Sequence, residues 1–351
     1  MEKPLGERRL SGADESKGKH IMSKLNLSVA MGDYDRTRAL LEHKVPIDGV
    51  DPVYLTLEPE EIFFRAFRHA EFDVCELSLS SFTVKTARGE CPYVGVPVFL
   101  SRAFRHTAIY IRTDRGIREP ADLRGRRVGV PEYQLTACVW VRAMLEQDYG
   151  VRPSDLLWVR GGEEQPGRLE KIDLALPADV RLESAPDGAT LNAMLAAGEI
   201  DALIAPRPPS CWVQGHPHVG RLFADPIRAA SDYYQRTGIF PIMHLLGLRR
   251  ELAQAHPWLP AALQKAFERS KSMAMASLAE LAASAVTLPF AQETMQDVQA
   301  RMGQDYWSYG VAANAATLDA FLAYHHAQGL SPRRVRVEEL LHPATFEAHK
   351  V

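Results

Sequence analysis

Two kinds of hydrophobic pattern take turns along the chain. From Leu25 to Ala30 (LNLSVA) apolar and polar residues alternate with the two-residue period of a half-buried strand. The run stops abruptly at Gly32, Asp33, Tyr34, Asp35 and Arg36, and a short helix is expected from Arg36 to Glu42. VDPVYLTL reads as a second strand, and PEEIFFRAFRHAEF as a helix opening at Pro59, where a missing N–H does no harm. DVCELSLSSF reads as a strand running into a helix. Strands alternating with helices over short links predict an α/β lobe with a largely parallel sheet.

A second series begins near Gly116. It contains a helical turn, a strand from Arg127 to Val130, a turn, and a helix from about Leu135 to Gln147. The strand LLWVRGG, a polar loop from Glu163 to Lys171, a helix from Thr190 to Ala197 and the strand IDALIAP follow, making a second α/β unit. HTAIYIRTDRG, residues 106 to 116, reads as a strand leaving the first lobe, and YYQRTGIFPIMHLLGLRR as a strand returning to it, so the pair forms a hinge. Helices are expected over Ala253 to Ala283, Glu293 to Met302 and Ala315 to Gln328. The expected division is a flexible extension over 1–24, a discontinuous first lobe over 25–112 and 238–351, and a second lobe over 113–237. No repeat of solenoid period is present.

Composition agrees with two lobes, since 351 residues exceed the ~250 at which single cores stop growing. Hydrophobic content of 46% with 24% charged residues is that of an ordinary globular protein. A formal charge of −3 supplies no long-range field, so neither nucleic acid nor a membrane is expected as a partner. No apolar run approaches the ~20 residues of a spanning helix. The N-terminal segment MEKPLGERRLSGADESKGKHIM is charged and lacks the apolar centre of a secretion signal, so a cytoplasmic location is expected. Cys75, Cys91, Cys138 and Cys211 are scattered without disulfide or zinc spacing and are expected to be reduced and structural. GGEEQPG matches neither a P-loop nor a dinucleotide turn, so flavin, nicotinamide and ATP are not expected.

DLRGRRVGV opening the second lobe and MLAAGEIDALIAP closing it resemble the type II periplasmic-binding-protein-like fold, in which two α/β lobes clasp a ligand in the cleft between them. Extra helices would then lie at the C-terminus. Longer strings narrow the resemblance. MGDYDRTRAL, LEPEEIFFRAFRHAEFDVCELSLSS, PVFLSRAFRHTAIYIR, DLRGRRVGVPEYQLTACVWVR, GEIDALIAPRPP and YYQRTGIFPIMHLLGLRRELAQAHPW together look like the 4,5-dihydroxyphthalate decarboxylase family. The match runs from about Leu25 to beyond Trp258. The resemblance implies loss of one carboxylate from an ortho-dicarboxylated catechol, giving 3,4-dihydroxybenzoate and carbon dioxide. It also implies a small aromatic carboxylate as partner; a homo-oligomer is expected. The rival is a non-catalytic receptor of the same fold binding an aromatic acid for transport. A pyrimidine-precursor synthase on this scaffold is disfavoured because its cysteine-rich string is missing.

Direct loss of carbon dioxide would leave a high-energy aryl anion, so the ring carbon must first be protonated, with a para phenolate supplying electron density. Arginine is the best carboxylate holder, its planar fork matching the carboxylate. His106, in SRAFRHT, is the first candidate for the proton donor, with a structural histidine as its alternative. Glu132, at the strand-to-helix turn GVPEYQLTA with Tyr133, is the runner-up acid, or else a helix-start carboxylate. Arg36 is assigned to a substrate carboxylate. Asp33 and Asp35 are assigned to a catechol hydroxyl or to orienting Arg36, with simple helix capping as the bland reading of Asp33. Arg102 and Arg105 are candidate clamps, although Arg105 and His106 cannot both face the ligand on an extended strand. Ser78 and Ser80 offer hydroxyls at a helix start or simply cap it, Arg207 offers a grip on the second carboxylate or lies at the surface, and His244 contacts a catechol oxygen or is a packed polar residue. His256, His325, His326, His216 and His218 are expected at the surface. Metal-free acid–base catalysis is expected, a divalent ion on Asp33, Asp35 or Glu132 with His244 being the alternative.

Overall fold

A computed structural model describes residues 24–280 and 286–346. The N-terminal extension and the end of the helix expected to reach Ala283 lie outside the described residues.

The first lobe opens with β1 (Leu25–Met31), α1 (Asp35–Leu41), β2 (Val50–Thr56), α2 (Pro59–His69), β3 (Val74–Ser78), α3 (Leu79–Ala87) and β4 (Tyr93–Arg102). α2 shows how local chemistry sets its bounds. Pro59 starts it, Glu60 and Glu61 face the positive end of the helix dipole, Arg68 and His69 the negative end, and Ala70 closes it in a left-handed conformation.

The second lobe contains β5 (Ile109–Arg112), β6 (Arg127–Val130), α4 (Thr136–Tyr149), β7 (Leu157–Arg160), β8 (Arg181–Ser184), α5 (Leu191–Ala197), β9 (Ala202–Ile204), α6 (Ser210–Val213) and β10 (Val219–Arg221). α7 (Pro226–Thr237) leads to β11 (Ile242–Arg249), followed by α8 (Arg250–Ala255), α9 (Leu259–Leu278), α10 (Ala291–Met302), α11 (Ala315–Ala327) and α12 (Val337–Leu340). One sheet has strand order β2-β1-β3-β11-β4 and the other β10-β5-β9-β6-β7-β8. β1, β2 and β3 are parallel, as are β6, β7, β8 and β9, while β11 runs antiparallel between β3 and β4. A hydrophobic core of buried residues runs from β1 and β3 through α4 to α9 and α11, tying the two sheets together.

Three expectations need correction. HTAIYIRTDRG is not one strand: Arg105–Ala108 forms a 3-10 turn, leaving four residues for β5, which pairs with β9 and β10 in the second sheet. The crossing between lobes therefore precedes β5. YYQRTGIFPIMHLLGLRR begins as the end of α7, stopped by Gly238 at a φ of 66°, and becomes a strand only at Ile242. The long helix from Ala253 is interrupted after Ala255 and restarts at Leu259, with Pro257 in the break. β4, β8 and β10 were not anticipated; β8 and β10 are short and half exposed, so their sequences carry no clear alternation.

Candidate active site

The carboxyl ends of β1, β3, β6, β7 and β9 open onto one cleft of about 750 Å³, where open α/β sheets bind their ligands. Tyr34 follows β1, Ser78 ends β3, and Pro131 with Leu135, Thr136 and Ala137 follows β6. Gly162 to Arg168 follow β7, and Pro206 to Pro208 follow β9. The far end of β4 adds Ser101 and, beyond it, Arg105; the start of β11 adds Met243 and His244. Successive residues of a regular strand face opposite sides, but the pairing of β11 with β4 shifts on both sides of His244, and this irregularity brings Met243 and His244 to the same cleft.

His244 is held from behind. Its Nδ1 lies 2.6 Å from Oε1 of Glu76, a fully buried carboxylate in the middle strand of the first sheet. Oε2 of Glu76 accepts the N–H of Gly32 at 3.1 Å, and the Tyr34 hydroxyl donates to both oxygens at 2.9 and 3.2 Å. Burial pushes the Glu76 carboxyl up, but the His244 contact and then the Gly32 and Tyr34 hydrogen bonds outweigh it and hold the group below the usual range. An ionised Glu76 can only accept, so Nδ1–H of His244 donates to it and Nε2 is the nitrogen left for chemistry. The Tyr34 phenol is pushed up, first by burial and then by the Glu76 charge, and keeps its proton as a donor. Gly32 makes room for that phenol: a Cβ there would lie 2.4 Å from Cζ of Tyr34. Phe63 meets the His244 ring edge-on at 4.8 Å.

Three arginines line the cleft. Arg168 donates from Nε to Glu132 at 2.7 Å and from Nη2 to Glu60 at 2.7 Å, and Lys171 contacts the same two carboxylates at 2.8 and 2.7 Å. Glu60 belongs to α2 of the first lobe, so this ion cluster spans the cleft, as does the exposed pair of Arg207 with Glu58 at 2.8 Å. Arg105 differs. Its Nε donates to Met243 Sδ at 3.2 Å, and among the described residues it has no carboxylate partner. Burial lowers its pKa to about 10, which still leaves it charged near neutrality. Glu163, also on the cleft wall, is pushed up to about 7 by burial and by the neighbouring Glu164 charge.

No family model matches the chain. A curated relative, 4,5-dihydroxyphthalate decarboxylase of Comamonas testosteroni, is 58% identical over 330 residues, covering 94% of this chain and 100% of the relative. The chain belongs to the 4,5-dihydroxyphthalate decarboxylase family. A protein of the same name from Pseudomonas putida is 65% identical over 215 residues, 61% of this chain and 83% of that one. In fold, this family member is similar to the periplasmic aliphatic sulphonate binding protein SsuA of Escherichia coli, with a TM-score of 0.51 at 14% identity over 92% of this chain and 99% of that one. A putative sulfonate-binding SsuA of Methylobacillus flagellatus KT gives 0.52 at 13% identity, over 92% of each chain. The architecture is therefore that of two-lobed solute-binding proteins, and α9 to α12 follow the return strand.

The residues expected to form the site of this decarboxylase family member divide sharply. Ser78, Arg105, Arg207 and His244 line the cleft. His106 does not: the 3-10 turn that directs Arg105 to the cleft buries His106 against Phe223 and Tyr233, with neither ring nitrogen hydrogen-bonded. Desolvation there lowers its pKa to about 4. Glu132 lies behind the cleft wall, with Oε1 held by Arg168 and Lys171 and Oε2 by the Lys171 N–H and Gln134, so no direction is left for a proton to reach a ring. Tyr133 is buried beneath the Arg142 guanidinium and against Trp158. Asp33 is exposed and paired with Arg38 at 2.6 Å, and Asp35 is exposed beside Arg36. Arg36 donates to the Leu100 carbonyl and is sandwiched between Tyr34 and Trp307, so it supports the phenol rather than a ligand. Arg102 is spent inside the protein on the Phe240 and Ser308 carbonyls and Asn314. Ser80 is buried, bonded to His325, which is itself buried rather than at the surface.

The donors that the sequence offers for a divalent ion do not converge: Asp33 and Asp35 are at the surface, Glu132 is enclosed by cations, and His244 is tied to Glu76. No group of three or more His, Cys, Asp or Glu side chains that could hold a metal ion occurs among the described residues. All four cysteines are buried and free. Sequence reasoning passed over Glu76 and Tyr34. The available signal was a carboxylate inside VCELS, a strand buried at every position, where an ionised group needs partners to persist.

Proposed function

We propose that the protein removes one carboxylate of 4,5-dihydroxyphthalate, giving 3,4-dihydroxybenzoate and carbon dioxide. The observation that carries this reading is the His244–Glu76 pair opening into the cleft of a chain that belongs to this family. In the proposed reaction, Nε2 of doubly protonated His244 gives its proton to the ring carbon that bears the leaving carboxylate, and Glu76 offsets the imidazolium charge. Electron density comes from the catechol oxygen para to that carbon. The C–C bond then breaks, its electron pair restores the aromatic ring, and the imidazole is left neutral. Tyr34 fixes the orientation of Glu76, and Arg105 supplies positive charge for one substrate carboxylate.

Glu163 is the group proposed to take the catechol proton, because a carboxyl near 7 is matched to that task at neutral pH. Activity of the free enzyme should rise with pH through about 7 as Glu163 ionises, and Glu163→Gln should flatten that rise in kcat/KM. An unchanged profile would assign the base elsewhere. The route draws on side-chain proton transfer alone. The same reading has the protein acting in the cytoplasm as a homo-oligomer; no helix among the described residues is long and apolar enough to cross a membrane.

Incubating purified protein with 4,5-dihydroxyphthalate and following carbon dioxide together with 3,4-dihydroxybenzoate tests the proposal. Stoichiometric release is expected. Tight binding without release would favour a receptor.

A further inference from the structure

Arg105 is the one cleft-lining arginine without a carboxylate partner among the described residues, and charge alone narrows what it can hold. Decarboxylation turns an anion into neutral carbon dioxide. A cation gripping the leaving carboxylate would stabilise charge that disappears towards the transition state, which raises the barrier. A cation gripping the carboxylate that stays is indifferent to the change. The wall beside His244 has the opposite character, with the edge of Phe63 against the imidazole at 4.8 Å. Arg105 meanwhile touches Met243, the chain neighbour of His244, so anchor and acid line the same cleft. Resting on the function proposed above, we infer that Arg105 holds the retained carboxylate, thereby fixing which ring carbon meets His244 and limiting the enzyme to one decarboxylation.

The limit is not built into the substrate. 3,4-Dihydroxybenzoate still carries a carboxylate para to a hydroxyl, so ring activation alone would permit a second loss. With its only carboxylate on Arg105, it offers His244 a neighbouring carbon that bears hydrogen. Of the two neighbours, C6 has a hydroxyl para to it. The chemistry there is proton exchange. In deuterium oxide, Nε2 delivers a deuteron to C6, the ring supplying the electron pair with help from the 3-oxyanion. The tetrahedral carbon holds deuterium on the Nε2 face and protium on the other, so it gives up the protium to solvent at the far face, and the C–H electron pair restores the aromatic ring.

The test follows 3,4-dihydroxybenzoate with the protein in deuterium oxide by proton NMR, alongside carbon dioxide release and decarboxylation of 4,5-dihydroxyphthalate by the same preparation. The H6 signal should fade while H2 and H5 persist, with no carbon dioxide from 3,4-dihydroxybenzoate. Arg105→Met should slow H6 exchange about 100-fold, the scale of a misplaced reactant. Arg105→Lys, which keeps the charge without the fork, should fall between them. Carbon dioxide from 3,4-dihydroxybenzoate would overturn the inference. So would unexchanged H6 with a preparation that decarboxylates 4,5-dihydroxyphthalate, or wild-type exchange in Arg105→Met. A preparation that releases no carbon dioxide from 4,5-dihydroxyphthalate would overturn the proposed function, and this inference with it.

Discussion

His244→Gln is expected to release carbon dioxide from 4,5-dihydroxyphthalate about 10³-fold more slowly than wild type, with KM changed no more than a few-fold. Glutamine can still reach the Glu76 carboxylate, which limits the structural damage, but an amide has no proton to give near neutrality. The loss should therefore fall on kcat. An equal loss in KM would mean that His244 binds rather than donates. His106→Asn provides the contrast. Its ring is packed against Phe223 and Tyr233 outside the cleft, and burial lowers its pKa to about 4, so it is neutral where the enzyme must protonate a ring. Turnover in folded His106→Asn should stay within a few-fold of wild type; a deficit matching that of His244→Gln would return the acid to His106.

That contrast shows how far a sequence can be read. Strand-helix alternation identified the two α/β units because each apolar face has a local period, and β6 was found with its observed bounds. The side of the chain on which His106 and Arg105 fall was not legible. An extended reading of SRAFRHT allows only one of them in the cleft and favours His106; the 3-10 turn at Arg105–Ala108 puts Arg105 there instead, through backbone geometry that only tertiary packing imposes. Likewise, the sequence offers His244 as a contact to a catechol oxygen rather than as the acid, since nothing local shows that Glu76, 168 positions away, lies behind it. Short-range rules carry the elements. The site is made by long-range pairs.

The stretch MGDYDRTRAL makes the same point from the other direction. Its charged residues drew attention, yet Asp33 and Asp35 are solvated and Arg36 is a support. Gly32 and Tyr34 are the contributors, through an N–H and a hydroxyl that both end on Glu76. The abrupt polar stop after β1 is thus the near side of a buried hydrogen-bond cluster whose other members come from β3 and β11.

Glu76→Gln should lower kcat by about 10²- to 10³-fold, on the pattern of a carboxylate that orients and compensates a working histidine. An amide facing Nδ1 can donate to it, which moves the ring proton to Nε2 and leaves the doubly protonated imidazole without a countercharge. Shape is nearly conserved, so the damage should appear in kcat before KM. Stability gives a second and independent readout. The folded-state pKa of Glu76 lies below its unfolded value, so its stabilising contribution is fully present above the unfolded carboxyl pKa of about 4.3 and is lost as pH falls through the lower folded value. Wild type should accordingly be more stable than Glu76→Gln in urea at pH 7, and the gap should narrow below about pH 4.3. A gap that stays constant into acid would mean that Glu76 is not ionised in the folded protein. In that case Nδ1 of His244 need not carry the proton, and the assignment of Nε2 as the donor would lose its basis.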